Sequence, residues 1–100
     1  MKKIEMMLQP EQLERVRAII EEVGVVEYYL TDWMKNNTHK NTVKKYRGAE
    51  YQVKQIAQVK IEMVLTDEMV AKVVQGLKEG NTSDSPIGKL IMYDVQELVW

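Results

Sequence analysis

The sequence contains no cysteine and only one histidine, His39, among its 100 residues. The absence of cysteine excludes disulfide bonds and thiolate metal sites, and nothing else argues for an oxidising compartment. A lone histidine in a polar segment gives little support to a transition-metal site. Ser83 and Ser85 have no histidine partner for nucleophilic catalysis. We therefore expect neither a metal centre nor catalytic residues.

Long hydrophobic runs are also missing. No uninterrupted apolar stretch reaches the ~18 residues of a membrane span, and acidic Glu5 and Pro10 interrupt the basic start. We expect a cytoplasmic protein without membrane insertion. The hydrophobic content of 45% and the charged content of 29% are ordinary globular values, so 1–100 is predicted to form one domain with one core.

Charge is unevenly distributed along the chain. The net charge is −1, which gives no global attraction to nucleic acid or to an anionic membrane. Five cations without an acid stand between positions 35 and 47: Lys35, Lys40, Lys44, Lys45 and Arg47. A five-charge segment on an acidic body is a weak footprint for nucleic acid, so direct nucleic-acid binding is not expected.

An internal repeat organises the sequence. A shift of 57 positions aligns residues 3–23 with residues 60–80 and gives 8 identities among 21 pairs. Each copy begins with apolar residues at every second position, which predicts a strand, and continues with an apolar stripe of helical period. The pattern indicates two copies of one unit of strand and helix. Chance similarity between two amphipathic segments is the alternative.

The ends of the two helices are marked by individual residues. The first helix is predicted near 10–23, because proline suits a first helical turn and Gly24 ends the apolar stripe. Thr66 is predicted to cap the second helix, and the stripe of that helix runs to Gly80.

The remaining strands complete the fold. Val25–Thr31 and Lys89–Val95 are rich in β-branched and aromatic residues, which predicts a strand after each helix. The order βαββαβ predicts an α+β, ferredoxin-like sandwich with both helices on one face of a four-stranded antiparallel sheet. The other face is mixed, and its charges could pair across subunits, which predicts an oligomer. Its residues are Lys3, Glu5, Met7, Lys60, Glu62 and Val64.

A long polar segment separates strands 2 and 3. Residues 32–55 show no sustained period, and a connection of this length inside a compact domain is either functional or disordered. A hairpin that extends strands 2 and 3 outward is an equally good interpretation for part of it. Both interpretations project the cationic segment into solvent.

Several short stretches, in order along almost the whole chain, resemble the PII family of nitrogen-regulatory signalling proteins. They are Met1-Lys2-Lys3-Ile4-Glu5, Glu22-Val23-Gly24, Tyr46-Arg47-Gly48-Ala49-Glu50-Tyr51, Val59-Lys60-Ile61-Glu62 and Gly88-Lys89. The resemblance implies a homotrimer with nucleotide sites between subunits. It also implies a long T-loop, at about 35–56 here, that reports the bound effector to a target transporter or enzyme.

The resemblance also implies roles for particular residues. Met7, Glu62 and Val64 would line the adenine and ribose side of the nucleotide site, and Gly88 with Lys89 would face the phosphates. The loop residues that would contact the partner are Lys40, Lys44, Lys45, Arg47 and Tyr51. Structural roles are the alternative, with Gly88 as a turn residue, Lys89 as an exposed strand-edge lysine and Glu62 paired with Lys60.

Departures from the family pattern narrow the choice of ligand. Gln58 stands where the family usually has the lysine that binds 2-oxoglutarate, and a neutral amide does not balance a dicarboxylate, so 2-oxoglutarate is not expected. Several usual phosphate contacts are missing, which favours ADP or AMP over ATP. The alternative is a trimeric interaction or scaffold module of the same superfamily whose nucleotide site has decayed.

Overall fold

The computed structural model describes residues 1–36, 42–46, 49–53, 55–84 and 86–100, and for 42–46 and 49–53 it describes the backbone alone. The elements follow the order β1, a 3₁₀ turn, α1, β2, β3, β4, β5, α2 and β6. The strands are β1 Lys2–Leu8, β2 Tyr29–Asn36, β3 Thr42–Tyr46, β4 Ala49–Val53, β5 Gln55–Leu65 and β6 Leu90–Asp94. The 3₁₀ turn is Pro10–Gln12, and the helices are α1 Leu13–Glu22 and α2 Asp67–Gly80.

Four strands form one sheet in the order β2-β5-β1-β6, and every neighbouring pair is antiparallel. The two strands of the repeat, β1 and β5, lie at the centre, with Glu5 opposite Glu62. Strands β3 and β4 pair with each other as a separate hairpin. This arrangement confirms the predicted α+β, ferredoxin-like fold.

The core lies between the sheet and the two helices. Alternate residues of β1 and β5 are buried, and the apolar stripes of α1 and α2 pack on them. Each fully buried aliphatic side chain contributes roughly 1.5–3 kcal/mol, so the core is the main source of stability. Its least exposed members are Ile4, Met6, Leu8, Val16, Ile20, Ile61, Met63 and Val73.

The predicted helices are confirmed with small changes at their ends. The Thr66 hydroxyl accepts a hydrogen bond from the Met69 backbone N–H at 3.3 Å and caps α2, which ends at Gly80. The proline turn, residues 10–12, is 3₁₀ and not α-helical, so the regular part of α1 begins at Leu13. Gly24 follows with φ +109, a left-handed conformation that ends the helix. Glycine adopts this conformation without steric strain because it has no Cβ atom.

The predicted strand Val25–Thr31 was wrong at its start, because β2 begins at Tyr29. The Val25 N–H donates to the Ile20 carbonyl at 3.0 Å, and the Val25 side chain is buried in the core. The Tyr28 hydroxyl accepts from Arg17 Nε at 2.9 Å. Residues 25–28 are therefore held against α1, and the chain enters the sheet only after them.

Strand β2 also continues further than predicted. It runs to Asn36 and pairs with β5 from Tyr29 opposite Glu62 to Asn36 opposite Gln55. The hairpin interpretation is therefore correct for the two ends of the long segment. Lys40, Arg47 and Gly48 lie outside the described residues.

Candidate functional site

A cleft of about 600 Å³ opens at the end of β1. Residues from the 3₁₀ turn, from the four strands β1, β2, β5 and β6, and from the loop before β6 line it. We call it the lysine cleft. Its lining residues are Glu5, Met7, Gln9, Gln12, Lys35, Gln58, Pro86, Gly88, Lys89 and Ile91. The cleft therefore contains Met7, Gly88 and Lys89, three of the five residues predicted to bind nucleotide.

The loop before β6 forms one wall of this cleft and is fixed by local contacts. The Ile87 N–H donates to the Asn81 side-chain oxygen at 2.8 Å, and the Ile87 side chain is buried in the core. Gly88 follows with φ +102, and a Cβ atom built on it would lie 3.8 Å from the Met7 carbonyl oxygen. Glycine is favoured at this φ, so the turn brings the backbone close to β1 and leads directly to Lys89.

The charges around the lysine cleft favour an anion. Lys35 and Lys89 are exposed, and neither forms an ion pair with any residue that the structure describes. The one carboxylate of the lining, Glu5, lies 3.2 Å from Lys3 Nζ and 3.6 Å from Lys60 Nζ, which compensate its charge. Two ammonium groups are thus available to an anionic ligand.

The sheet face that carries no helix has a cluster of four charges: Lys3, Glu5, Lys60 and Glu62. We call it the charge quartet. Lys60 Nζ pairs with Glu62, and Lys3 Nζ lies 3.7 Å from the Glu62 carboxylate. The sequence allowed these charges to pair across subunits, but they already pair within one chain. The predicted ion pair of Glu62 with Lys60 is thus present, and the contact of Glu62 with nucleotide stays a prediction.

The quartet shifts the ionisation of its members. Partial desolvation, the largest single influence, raises the pKa of Glu5, but the Tyr93 hydroxyl, Lys3 and Lys60 outweigh it and hold that pKa below its ordinary value. The hydrogen bond to Glu62 raises the pKa of Lys60. Tyr93 donates to Glu5 at 3.0 Å, and this bond raises the pKa of the tyrosine. All three shifts keep these groups in their present charge state near neutral pH.

The lowered pKa of Glu5 predicts a loss of stability in acid. A carboxyl group whose pKa is lower in the folded chain stabilises the fold above its unfolded pKa, and this contribution disappears as the pH falls through the folded pKa. The loss should therefore begin below the ordinary value of 4.5. Between about pH 7 and about pH 3, Glu5→Gln should lose less in Tm than the wild type. Thermal melts monitored by circular dichroism measure this difference.

Glu22→Gln is the matched control, because Glu22 is an exposed glutamate at the end of α1. This variant should keep the wild-type dependence of Tm on pH. Equal slopes for Glu5→Gln and the wild type would contradict a stabilising role for the Glu5 carboxylate.

A second cleft of about 610 Å³ lies at the other end of the sheet. We call it the valine cleft. Its lining residues are Gly24, Val25, Val26, Glu27, Tyr29, Val64, Leu65, Thr66, Met69, Val95, Gln96 and Glu97. The lining contains two carboxylates and no cation, and the hydrogen bond to Glu27 raises the pKa of Tyr29. The two clefts of one chain are therefore opposite in charge.

The structure distributes the predicted site residues over three places. Met7, Gly88 and Lys89 lie in the lysine cleft, Val64 lies in the valine cleft, and Glu62 lies between them in the charge quartet. Of the predicted partner-binding residues, Lys44, Lys45 and Tyr51 lie on β3 and β4, with Lys44 opposite Tyr51. Lys40 and Arg47 lie outside the described residues.

Lys35 and Gln12 are among the residues of the lysine cleft that were not predicted as nucleotide contacts. Lys35 was counted with the cationic segment, and its position in the cleft depends on the register of β2, where it pairs with Ile56. No local sequence pattern marks Gln12 as a cleft residue, because its place there depends on a contact with a distant segment. Its contact with the loop before β6 spans 74 positions of the sequence.

Comparison with known proteins decides the family. The family model described as nitrogen regulatory protein P-II matches residues 1–100. The chain belongs to the PII family. It is 35% identical to nitrogen regulatory protein P-II of Pasteurella multocida over 100 residues, which covers 99% of this chain and 89% of the relative. It is 33% identical to nitrogen regulatory protein P-II 1 of Escherichia coli K12, with the same two coverages.

Membership of the PII family identifies the chain as a signal-transduction regulator and not as a member of an enzyme family. Among the described residues, no helix combines the length and the apolar character that crossing a membrane requires.

Proposed function

We propose that this PII protein is a homotrimer that binds an adenine nucleotide between its subunits and controls a target transporter or enzyme through its long loop. The observation that carries the proposal is the lysine cleft, where Met7, Gly88 and Lys89 meet. A methionine side chain suits the face of a base, while an ammonium group beside a glycine turn suits a phosphate.

The charges of the cleft support a nucleotide with few phosphates. Lys35 and Lys89 are the only cations of its described lining, and the Glu5 carboxylate is compensated by the charge quartet. Two ammonium groups match the charge of AMP or ADP better than that of ATP. Gln58, also in the lining, offers an amide and no charge, so we expect weak binding of 2-oxoglutarate.

The positions of the two clefts support a site shared between subunits. Met7 is paired with Lys60, and Val64 lies four positions further along β5, which separates them by roughly 13 Å on one face of the sheet. A single chain therefore keeps Val64 away from Gly88 and Lys89. Contact between the valine cleft of one subunit and the lysine cleft of the next would unite them, and two unlike surfaces in contact generate a ring when the rotation closes.

The open sheet face supports association of the subunits. It carries exposed aromatic and aliphatic side chains on both sides of the charge quartet, and exposed apolar side chains grouped on one face favour an interface. The exposed residues are Tyr29, Trp33, Val64, Ile91 and Tyr93. The quartet is neutral within one chain, so burying it does not require charges from a second subunit.

We expect the purified protein to sediment as a trimer of the 11.7 kDa chain. The reason is the apolar surface around the quartet, which a monomer would leave in contact with water. Sedimentation velocity at micromolar concentration measures the mass. A single species of one chain mass under these conditions would contradict the proposed assembly.

Calorimetric titration of the wild type with AMP, ADP, ATP and 2-oxoglutarate tests ligand binding. We expect a nucleotide to bind and 2-oxoglutarate to give little heat. A trimer that binds none of the nucleotides would support the scaffold alternative, in which the long loop contacts its target without a ligand. Strong binding of 2-oxoglutarate alone would contradict the choice of ligand.

A further inference from the structure

The side chain of Gln12 connects two walls of the lysine cleft. Its Oε1 accepts a hydrogen bond from the Gln9 backbone N–H at 3.0 Å, and its Nε2 donates to the Pro86 carbonyl oxygen. Gln9 and Pro86 both belong to the lining of the cleft. A carboxamide both accepts and donates, so one side chain can satisfy a backbone N–H on one wall and a carbonyl on the other.

The wall that Gln12 reaches is the one that presents the phosphate-facing residues. Pro86 precedes Ile87, whose N–H is held by Asn81, and then come Gly88 and Lys89. Asn81 is attached to the end of α2, whereas Gln12 is attached to the start of α1. The loop before β6 is thus held by Asn81 at the end of α2 and by Gln12 at the start of α1. The hydrogen bond from Gln12 connects this loop to the wall of the cleft formed by Gln9.

The structure assigns to Gln12 the role of a positioning residue that fixes the loop before β6, so that Gly88 and Lys89 keep the orientation needed for the anionic group of the ligand. This inference rests on the proposed binding of nucleotide in the lysine cleft. Gln12 acts through Pro86 and need not touch the phosphate itself. A loop that is already ordered binds a ligand more tightly, because it loses less conformational entropy when the ligand binds.

Gln12→Met tests the assignment, because methionine has a similar length and neither donates nor accepts these hydrogen bonds. We expect ADP affinity to fall by roughly three- to tenfold in calorimetry. In the ligand-free protein, hydrogen exchange of the Ile87 amide should become about fivefold faster or more, while exchange of the core amides in β5 stays unchanged. Gln12→Glu keeps the acceptor for Gln9 but loses the donor to Pro86, so it should accelerate Ile87 exchange equally.

Gln75→Met is the matched control. Gln75 lies on α2 outside the lysine cleft, and its Nε2 donates to the Glu79 carboxylate at 2.9 Å, so this variant also loses one amide hydrogen bond. It should change neither ADP affinity nor exchange of the Ile87 amide.

The readouts separate the assignment from the proposed function. If the wild type binds no nucleotide, the proposed function fails, and faster exchange confined to the loop in Gln12→Met still supports the positioning role. Unchanged Ile87 exchange overturns the assignment in every case. Faster exchange throughout the sheet also overturns it, because Gln12 would then support the whole fold and not the loop.

Discussion

Replacement of Lys89 by alanine is expected to weaken ADP binding by roughly 10- to 150-fold while the trimer stays intact. A charge-assisted hydrogen bond to phosphate contributes ~1.5–3 kcal/mol, which converts to this range. The Lys89 ammonium forms no ion pair with the described residues, so its removal leaves no buried carboxylate without a partner. Calorimetry at moderate salt measures the affinity, and sedimentation measures the assembly.

Lys72→Ala provides the matched control, because Lys72 is an exposed lysine of α2 that lies outside the lysine cleft. It should leave ADP affinity unchanged. The effect of Lys89→Ala should also increase from AMP to ADP to ATP if the ammonium faces the phosphates. Equal affinities of the wild type and Lys89→Ala would favour the alternative role of Lys89 as a solvated strand-edge residue and would contradict its proposed contact with the phosphates.

Leu8→Ala should lower the free energy of unfolding by roughly 2.5–5 kcal/mol. Leu8 has no solvent exposure, and it ends the central strand β1 beside the helices, so truncation leaves a cavity in the core. Urea denaturation followed by circular dichroism measures the change. All variants need the same protein concentration, because subunit association contributes to the apparent stability.

The same substitution at an exposed leucine distinguishes the effect of the cavity on stability from the effect of replacing leucine by alanine. Leu98 is 73% exposed, and Leu98→Ala should change the free energy of unfolding by less than about 0.5 kcal/mol. A loss for Leu8→Ala as small as that for Leu98→Ala would contradict the position of Leu8 in the core.

The part of the fold that the sequence predicts best is the repeated unit. Ile4, Met6 and Leu8 alternate with the less buried Lys3, Glu5 and Met7 because one face of β1 is buried and the other is open, and β5 repeats the pattern. Helix α2 was predictable to the residue at its start, since the Thr66 cap is a local hydrogen bond. Such signals depend on neighbours in sequence, and a sequence contains them directly.

Strand β2 was harder to predict because all of its residues are exposed. No alternation of apolar and polar residues marks such a strand, whereas the preceding residues 25–28 have the β-branched and aromatic side chains typical of one. The buried Val25 and the hydrogen-bonded Tyr28 pack against α1 instead. Their β-branched and aromatic character reflects contact with the helix and not pairing in the sheet.

The candidate site was predictable in part for a related reason. Gly88 and Lys89 follow each other in sequence, so a short resemblance is enough to find them. Gln12 and Lys35 reach the same cleft through a hydrogen bond to Pro86 and through the register of β2. These are contacts between segments that are distant in sequence, so composition and periodicity do not predict them.

The contact between Trp33 and Lys60 gives the protein an optical probe. The Lys60 ammonium lies 4.8 Å from the centre of the Trp33 ring, and Trp33 is the register partner of Gln58 in the lysine cleft. The other tryptophan, Trp100, is fully exposed. A collisional quencher such as iodide reaches these two indoles to different extents, so the less quenched part of the emission reports on the open sheet face and the cleft beside it without an added label.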